Sequence, residues 1–218
     1  MLAVQPDSGA LAEVRIEEAL RAAQGGDVAA FNTLVLVYQR QMFNVCYRTL
    51  GSTDDAADAT QDALLSAFRG LKSFQGAAGG LRGWLLRIAV NTCYDQLRRR
   101  QRRPVDSLDA PSQADPDQPS SLGDHLPDPG LGPEQRSLTA ETARHIQAAL
   151  DQLPPDQRLT VVLCDVQGLS YDEAAQAMAV ELGTVKSRLS RARAQLRELL
   201  IAKGELPTAS QRLQERNP

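Results

Sequence analysis

The residues most clearly able to do chemistry in this chain are the basic and hydroxyl side chains that recur between residues 184 and 200. Those outside the apolar stripe of the helix predicted there are Lys186, Ser187, Ser190, Arg191 and Arg193. An exposed arginine near a helix start can hydrogen-bond a guanine twice, whereas lysine and serine more often hold phosphate. We therefore expect this face to bind nucleic acid. A solvated basic face without a ligand is less consistent with the pattern, because exposed helices usually alternate charge sign.

The element that carries these side chains is predicted to be the second helix of a helix-turn-helix. A short helix starts at Ser170, the helical pattern breaks over residues 179–182, and a second helix opens at Gly183 and Thr184. A short helix, a tight turn and a basic second helix are typical of this motif, whose second helix lies in the DNA major groove.

A second basic segment covers residues 81–103, where the acid Asp95 stands among many arginines. Trp84 could stack on an unpaired base while arginines hold the backbone, although a core position for the tryptophan is the more common case. Asn91 could bind an adenine edge or hydrogen-bond the backbone. The arginines of residues 98–103 fit phosphate contact, but a solvated helix end would look the same.

Acidic residues dominate the helix predicted from residue 53 to residue 68. Asp54, Asp55, Asp58 and Asp62 share much of one face by three- and four-residue spacing. A catalytic or metal-binding carboxylate pair is disfavoured, because no histidine, metal-ligand cluster or glycine-rich phosphate loop accompanies it. A docking face for a basic protein partner fits better, with favourable charge at a helix N-terminus as the simplest alternative.

Composition places the chain among helical cytoplasmic proteins without a cofactor. Its 218 residues carry a net charge of −3, three cysteines that form no CxxC pair, and no apolar run long enough to cross a membrane. His125 and His145 have no neighbours that suggest catalysis or metal binding. We expect no catalytic residue, no metal and no cofactor.

Helical periodicity and composition predict two small helical domains joined by a flexible linker, the second being the helix-turn-helix domain. The linker is acidic, rich in proline, and contains neither lysine nor arginine. The predicted divisions are an N-terminal segment with a short helix (1–26), a first domain (27–103), the linker (104–135), a second domain (136–203) and a tail (204–218). We expect two separate bodies, each with its basic face open to solvent.

Two blocks of sequence resemble the small bacterial extracytoplasmic-function (ECF) sigma factors of the sigma-70 family. The first block, over about residues 27–103, contains DxxAFNTLVxxY, DxxQDALLSAF and WLLRIAVNTxxDQLRRR. The second, over about residues 140–200, contains LDQLPPDQR, GLSYDEAAQAM and GTVKSRLSRARAQLR. Two blocks in this order are far more specific than a helix-turn-helix alone. The resemblance implies an all-α promoter-recognition subunit that works with RNA polymerase.

The resemblance also implies roles for individual residues. The residues implied to bind the −35 promoter element are Thr184, Lys186, Ser187, Arg188, Ser190 and Arg191. Those implied to bind the melted −10 element are Trp84, Arg87, Asn91, Arg98 and Arg99. Those implied to dock on the clamp of the polymerase core are Asp54, Asp55, Asp58, Gln61 and Asp62. An anti-sigma factor is a further candidate partner, because such partners are common in the group.

Three alanines depart from the family pattern. Ala57 stands where an acid is usual, Ala174 where a larger aliphatic residue is usual, and Ala179 where the turn usually has glycine. Alanine resists positive φ, so we expect the turn to be strained or of a different type.

Two other functions remain as alternatives to this interpretation. One is a stand-alone helix-turn-helix regulator whose first 103 residues sense a signal or dimerise; the other, more distant, is an enzyme whose acids bind metal.

Overall fold

The computed structural model describes residues 8–76, 78–102 and 133–204, with the side chains of residues 14–76, 80–100 and 141–204. Over these residues the chain is helical and forms no strand, which confirms the predicted all-α class. The helices are α1 (Ser8–Gln24), α2 (Val28–Leu50), α3 (Thr53–Gly70), α4 (Ala78–Arg102), α5 (Pro133–Leu150), α6 (Pro155–Val161), α7 (Tyr171–Met178) and α8 (Leu182–Ala202). A 3₁₀ turn, Leu71–Ser73, follows α3, and a π-helical turn, Val162–Val166, continues α6.

Local capping chemistry sets both ends of α2. The Asp27 carboxylate accepts hydrogen bonds from the backbone N–H groups of Ala29 and Ala30 at 2.8 and 3.1 Å. The helix ends at Gly51, whose φ of 77° lies in the left-handed region that glycine adopts without steric cost. Ser52 then caps α3 by accepting from the Asp55 N–H. These signals all lie within a few residues of the helix ends, so local residue types are enough to set them.

The first domain is a bundle in which α2, α3 and α4 pack against one another. The buried face of α3 is made of small residues, Ala56, Ala59, Thr60, Ala63 and Ala67. Small side chains let the neighbouring helices approach closely, and the 3.6-residue period then turns the aspartates of α3 outward.

The second domain contains α5 to α8. Its helix-turn-helix begins with a capping box, in which Ser170 accepts from the Glu173 N–H and Glu173 accepts from the Ser170 N–H. The turn between α7 and α8 holds Ala179 at φ 53° and ψ 46°, a left-handed conformation. Among the described non-glycine residues, Ala179 alone has a positive φ. Of the two expectations for this turn, a strained conformation or a different turn type, the structure shows the strained conformation.

The two domains share one hydrophobic core instead of standing apart. Helix α4 packs against α7, and α2 packs against α6. Arg158 of α6 is largely buried and donates to the Thr49 carbonyl at the end of α2, at 2.7 Å. The predicted fold class, two small helical domains, is confirmed, but the expectation that the two bodies stand apart was wrong. Periodicity identifies apolar faces but cannot show that a face of one domain is covered by the other.

Most of the predicted linker and all but the first residue of the predicted tail lie outside the described residues. Helix α5 begins at Pro133, so residues 133–135, which were assigned to the linker, are helical. In the described part of the chain, no helix is long and apolar enough to span a bilayer, and no group of histidine, cysteine or acidic residues could hold a metal ion.

Candidate nucleic-acid interface

The outward face of α8 presents most of the residues predicted to contact an upstream DNA element. The exposed members are Lys186, Ser187, Ser190 and Arg191. The opposite face buries Val185, Leu189 and Ala192 in the domain core. Arg191 Nε donates to the Ser187 carbonyl at 3.2 Å, so its guanidinium lies along the helix surface. The buried stripe thus fixes which side chains face outward, and the outward set is cationic and hydroxylic.

Arg188 and Thr184 lie at the edge of the buried stripe and are only partly exposed. The Arg188 side chain is 20% exposed and turns toward α6, where its Nη2 donates to Asp156 Oδ2 at 2.5 Å. The other oxygen of that carboxylate accepts from the Tyr94 hydroxyl of α4 at 2.9 Å. Arg188 is therefore held inside the protein in this conformation, although it remains a predicted DNA contact.

Arg193 has its charge compensated within the second domain. Its Nε and Nη2 donate to the two carboxylate oxygens of Asp165 at 3.0 and 2.5 Å. These hydrogen bonds are the main reason that the pKa of Arg193 is raised. The open positive surface of α8 is therefore narrower than the sequence alone suggests.

Helix α4 presents a second cationic face. Its exposed predicted residues are Arg87, Asn91, Arg98 and Arg99. Trp84, Arg87, Asn91 and Arg98 follow helical spacing and share one face, whereas Arg99 lies about 100° further around the helix. Arg98 approaches Asp95 at 3.8 Å, but both side chains are exposed, so the pair contributes little and leaves the arginine free to bind an anion.

Trp84 has a position compatible with both roles that the sequence leaves open, packing in the core and stacking on an unpaired base. Its ring packs against the core and lies 5.1 Å from the Phe74 ring, centroid to centroid. A Cβ atom built on Gly70 would meet the same indole at 3.3 Å, so glycine provides the space for it. The tryptophan is nevertheless only partly buried. An aromatic ring held in this way can offer its remaining exposed edge to a base without losing much conformational entropy.

The acidic face of α3 is exposed at most of the predicted docking positions, namely Asp54, Asp58, Gln61 and Asp62. An apolar groove of about 760 Å³ lies beside it, between α2 and α3. Leu36, Leu65 and Phe68 line that groove and are exposed by 72, 47 and 42%. Exposed apolar surface next to acids is typical of a protein-binding site. Sequence reasoning identified the acids and missed the groove, because apolar residues at helical spacing are also the pattern of a buried helix face.

Asp55 differs from the other predicted docking residues, because it forms an ion pair with Arg100 of α4. Burial acts to raise the pKa of Asp55, but the hydrogen bonds from Arg100 and Ser52 outweigh burial and lower it. This carboxylate joins α3 to α4 and is only partly available to a partner.

Sequence reasoning also missed the polar residues that join the two domains. They include Arg48, Arg82, Tyr94, Asp156, Arg158 and Gln167. Arg82 Nε donates to Gln41 at 2.7 Å, and its Nη2 donates to the Gln167 carbonyl of the other domain. Each contact links residues far apart in the chain, and no local signal reports such a pair.

Comparison with protein families assigns both halves of the chain. Residues 34–103 match the family described as Sigma-70 region 2, and residues 143–196 match Sigma-70, region 4. The first match contains α3 and α4, and the second contains α7 and α8 as far as residue 196, so the faces described above belong to these two regions.

Whole-chain relatives agree with this division. The chain is 40% identical over 183 residues to ECF RNA polymerase sigma factor SigM of Mycobacterium tuberculosis, covering 84% of this chain and 83% of SigM. It is 38% identical over 178 residues to ECF RNA polymerase sigma factor SigE of Mycolicibacterium smegmatis, covering 80% of this chain and 64% of that protein. A solved structure of the sigma factor RpoE with the anti-sigma factor NepR, from Bartonella quintana, matches with a TM-score of 0.60 and 31% identity, covering 79% of this chain and 98% of RpoE.

The fold and its two cationic helices thus define a two-domain protein of the sigma-70 class. The chain belongs to the ECF sigma factor family within that class. This finding favours a promoter-specificity subunit over a stand-alone regulator, because region 2 occupies the residues that a sensing or dimerising domain would need. Sigma factors are regulatory initiation factors rather than catalysts.

Proposed function

We propose that this chain directs RNA polymerase to promoters that contain a −35 and a −10 element, using α8 for the first and α4 for the second. The observation that carries the proposal is the pair of exposed cationic faces, one in each sigma region. A polyanion is the ligand such faces attract, and two faces can bind two segments of one duplex.

At the −35 element, α8 would lie in the major groove with its outward face toward the bases. Arg191 is the candidate for base recognition, because its guanidinium can donate two hydrogen bonds to one guanine. Lys186, Ser187 and Ser190 are candidates for phosphate contact. Thr184 would complete the set, together with Arg188 once its side chain leaves Asp156.

At the −10 element, α4 would capture the separated strand. Opening a duplex costs a few kcal/mol for each unstacked base. Stacking on an aromatic ring such as Trp84 offsets this cost by about 1–3 kcal/mol for each base. Arg87, Asn91, Arg98 and Arg99 supply phosphate and base contacts along the same helix, so the captured strand is held after it separates.

The acidic residues of α3, from Asp54 to Asp62, are the proposed docking surface for the clamp of the polymerase core. Their charge selects a basic partner, and the neighbouring groove offers apolar area for the same contact. An anti-sigma factor that regulates the chain is a further proposed partner, supported by the RpoE complex with NepR.

We further propose that the functional units are residues 27–103 and 136–203 and that the chain acts in the cytoplasm, where its polymerase is. It supplies no catalytic residue of its own. The family matches over residues 34–103 and 143–196 support this division, and the similarity to RNA polymerase sigma factors supports the other two statements.

Transcription in vitro tests the proposal. The purified chain and core polymerase are incubated with a library of promoters that differ in the −35 and −10 elements. We expect transcripts whose start sites share both elements, and none from core polymerase alone. If no member of a broad library is transcribed, although the chain binds core polymerase, promoter recognition by this chain is refuted.

A further inference from the structure

The segment between α3 and α4 is held from outside by the last residue of α1. Gln24 Nε2 donates to the Phe74 carbonyl at 2.8 Å and to the Leu71 carbonyl at 3.3 Å. A side-chain amide nitrogen carries two hydrogens, so both are used on this segment. The contacts join residues 50 and 47 positions apart in the chain. Helix α1 precedes the residues that match region 2, which begin at residue 34, so that match assigns no role to Gln24.

Gln24 has a fixed position of its own, because α1 ends in a defined cap. The Asp27 N–H donates to the Ala22 carbonyl at 3.1 Å, and the Gly26 N–H donates to the Ala23 carbonyl at 3.0 Å. With Gly26 at a φ of 101°, these are the two hydrogen bonds of a Schellman motif. Ala23 is also buried in the core of the first domain. The amide therefore reaches the segment from a rigid support and restrains it.

Two residues that flank the restrained turn contact the indole of Trp84. A Cβ atom built on Gly70, before the turn, would lie 3.3 Å from the indole. The ring of Phe74, after the turn, has its centroid 5.1 Å from that of Trp84. Gln24 donates to carbonyls at both ends of the turn, Leu71–Ser73, that joins these residues. A displacement of the turn would therefore move the surroundings of the indole and change how much of it is exposed.

The Phe74 ring has little room to move independently of its backbone. A Cβ atom built on Gly76 would lie 2.5 Å from the ring, and one built on Gly80 would lie 3.9 Å from it. The ring is thus in contact with the backbone of residue 76 as well as with Trp84. A ring packed in this way follows its own carbonyl group, which is the group that Gln24 binds.

We propose that Gln24 is a positioning residue for capture of the −10 strand. By holding the segment that carries Phe74, its amide fixes the part of the Trp84 ring that an unpaired base can stack on. A fixed ring loses little entropy when a base stacks, whereas a mobile ring must first be ordered. This inference rests on the proposed function, because it takes Trp84 to stack on the separated strand.

The fluorescence of Trp84 reports on the segment directly, because the chain contains a single tryptophan. Gln24→Met keeps the length and helix propensity of the side chain and removes both donors, and Gln24→Glu keeps its shape but can only accept when ionised. Acrylamide quenching of the full-length chain measures the accessibility of the indole. We expect the quenching constant to rise about twofold in both variants, because loss of two hydrogen bonds loosens the segment.

Gln152→Met is the matched control for these variants. Gln152 is exposed in the second domain, where its side chain donates to the Ala148 carbonyl at 3.2 Å. The same change of side chain therefore removes a hydrogen bond at a site that does not contact the segment. We expect this control to leave the quenching of Trp84 unchanged.

Strand capture is measured with the chain assembled on core polymerase, on a promoter that this complex transcribes, with the −10 region already melted. Each non-template base in turn is replaced by an abasic site, and competition gives the loss of binding. In the wild type, we expect one abasic position to weaken binding about tenfold or more, the effect of losing one stacked base. In Gln24→Met and Gln24→Glu, the same position should cost about twofold or less, because the ring is no longer held for stacking.

The ratio between intact and abasic strands separates positioning from a general structural role. A variant that was merely less stable would bind every strand more weakly and leave this ratio unchanged. Circular dichroism confirms that each variant is folded, and Gln24→Glu replaces Gln24→Met if the latter is not.

Two results would overturn the inference. One is unchanged quenching of Trp84 in the folded Gln24 variants, and the other is an abasic penalty equal to that of the wild type. If the wild-type complex binds the melted promoter but shows no abasic penalty at any position, the stacking role in the proposed function is refuted. The quenching of Trp84 in the free chain would then still report whether Gln24 holds the segment, so the two failures are distinguishable.

Discussion

Ala179 occupies a backbone conformation that alanine tolerates poorly. Its φ of 53° puts Cβ close to the following carbonyl oxygen, a clash that glycine lacks. The residue is exposed, and its N–H is oriented toward the carbonyls of Ala175 and Gln176, so the turn is held by backbone hydrogen bonds. The strain therefore lies in one residue and can be removed without changing the packing.

Replacing Ala179 with glycine is expected to stabilise the protein. Relief of the left-handed strain outweighs the extra chain entropy of glycine, with a net gain of about 1 kcal/mol in the free energy of unfolding. Urea denaturation, monitored by circular dichroism, measures this change in the free energy of unfolding. Ala194→Gly, at an exposed position inside α8, is the control and should lose about 1 kcal/mol. A loss of stability in Ala179→Gly would show that the turn is not strained.

Arg191 is expected to determine part of the promoter preference. Arg191→Ala should cost about 1–3 kcal/mol at promoters with the preferred upstream base and much less at others. Competition binding with duplexes that differ at single upstream positions measures the difference. Lys186→Ala, as a phosphate contact, should weaken binding evenly across sequences. An equally even loss in Arg191→Ala would remove its assigned role in base recognition.

At the scale of elements, the 3.6-residue helical period of α3 places its packing residues and its acidic residues on different faces of the helix. Its alanine face builds the bundle, and its acidic face remains exposed together with the apolar groove. Residues three and four apart lie side by side on a helix, so Asp54, Asp58 and Asp62 form a continuous row. The row can therefore be changed without disturbing the alanine face.

Asp58→Lys should reduce binding to core polymerase, because it places a cation where the row attracts a basic partner. Co-purification with core polymerase should fall at least about tenfold, the effect of a charge reversal at a contact. Glu18→Lys on α1 makes the same change of charge at another exposed position and should bind normally. Full retention of Asp58→Lys on core polymerase would mean that another surface docks.

At the scale of the whole molecule, Arg158 joins the domains through backbone carbonyls. Its guanidinium donates to Thr49 at 2.7 Å, to Asp151 at 2.7 Å and more weakly to Leu153 at 3.4 Å. Burial is the main reason that the pKa of Arg158 is lowered, and the Asp151 carboxylate partly opposes the effect. One side chain thus satisfies acceptors in both domains.

Arg158→Ala should lower the free energy of unfolding by about 3 kcal/mol, because it leaves partly buried carbonyls without donors. Thermal and urea denaturation both report the change. Arg197→Ala removes an exposed arginine from α8 and should change stability by less than about 0.5 kcal/mol. Similar stabilities for the two variants would show that the domains do not depend on this contact.

How much the sequence predicts depends on the range of each interaction. The caps at Asp27 and Ser170, the stop at Gly51 and the outward face of α8 all arise within a few residues, so pattern and residue type identify them. Arg188 is a residue whose orientation the local sequence pattern does not predict. Its position in α8 suggests an outward cation, yet it is only about 70° from the middle of the buried stripe, and a partner on α6 decides where it points.

The sequence by itself determined the helices, their apolar and charged faces and the membership of both halves in one family, because these follow from local propensity, periodicity and motif. Only the tertiary structure decided that the domains pack together, that Asp156 links Tyr94 to Arg188, and that a groove lies beside the acidic row. The physical reason is that burial and ion pairing across the chain depend on which surfaces meet. No spacing along the sequence carries that information.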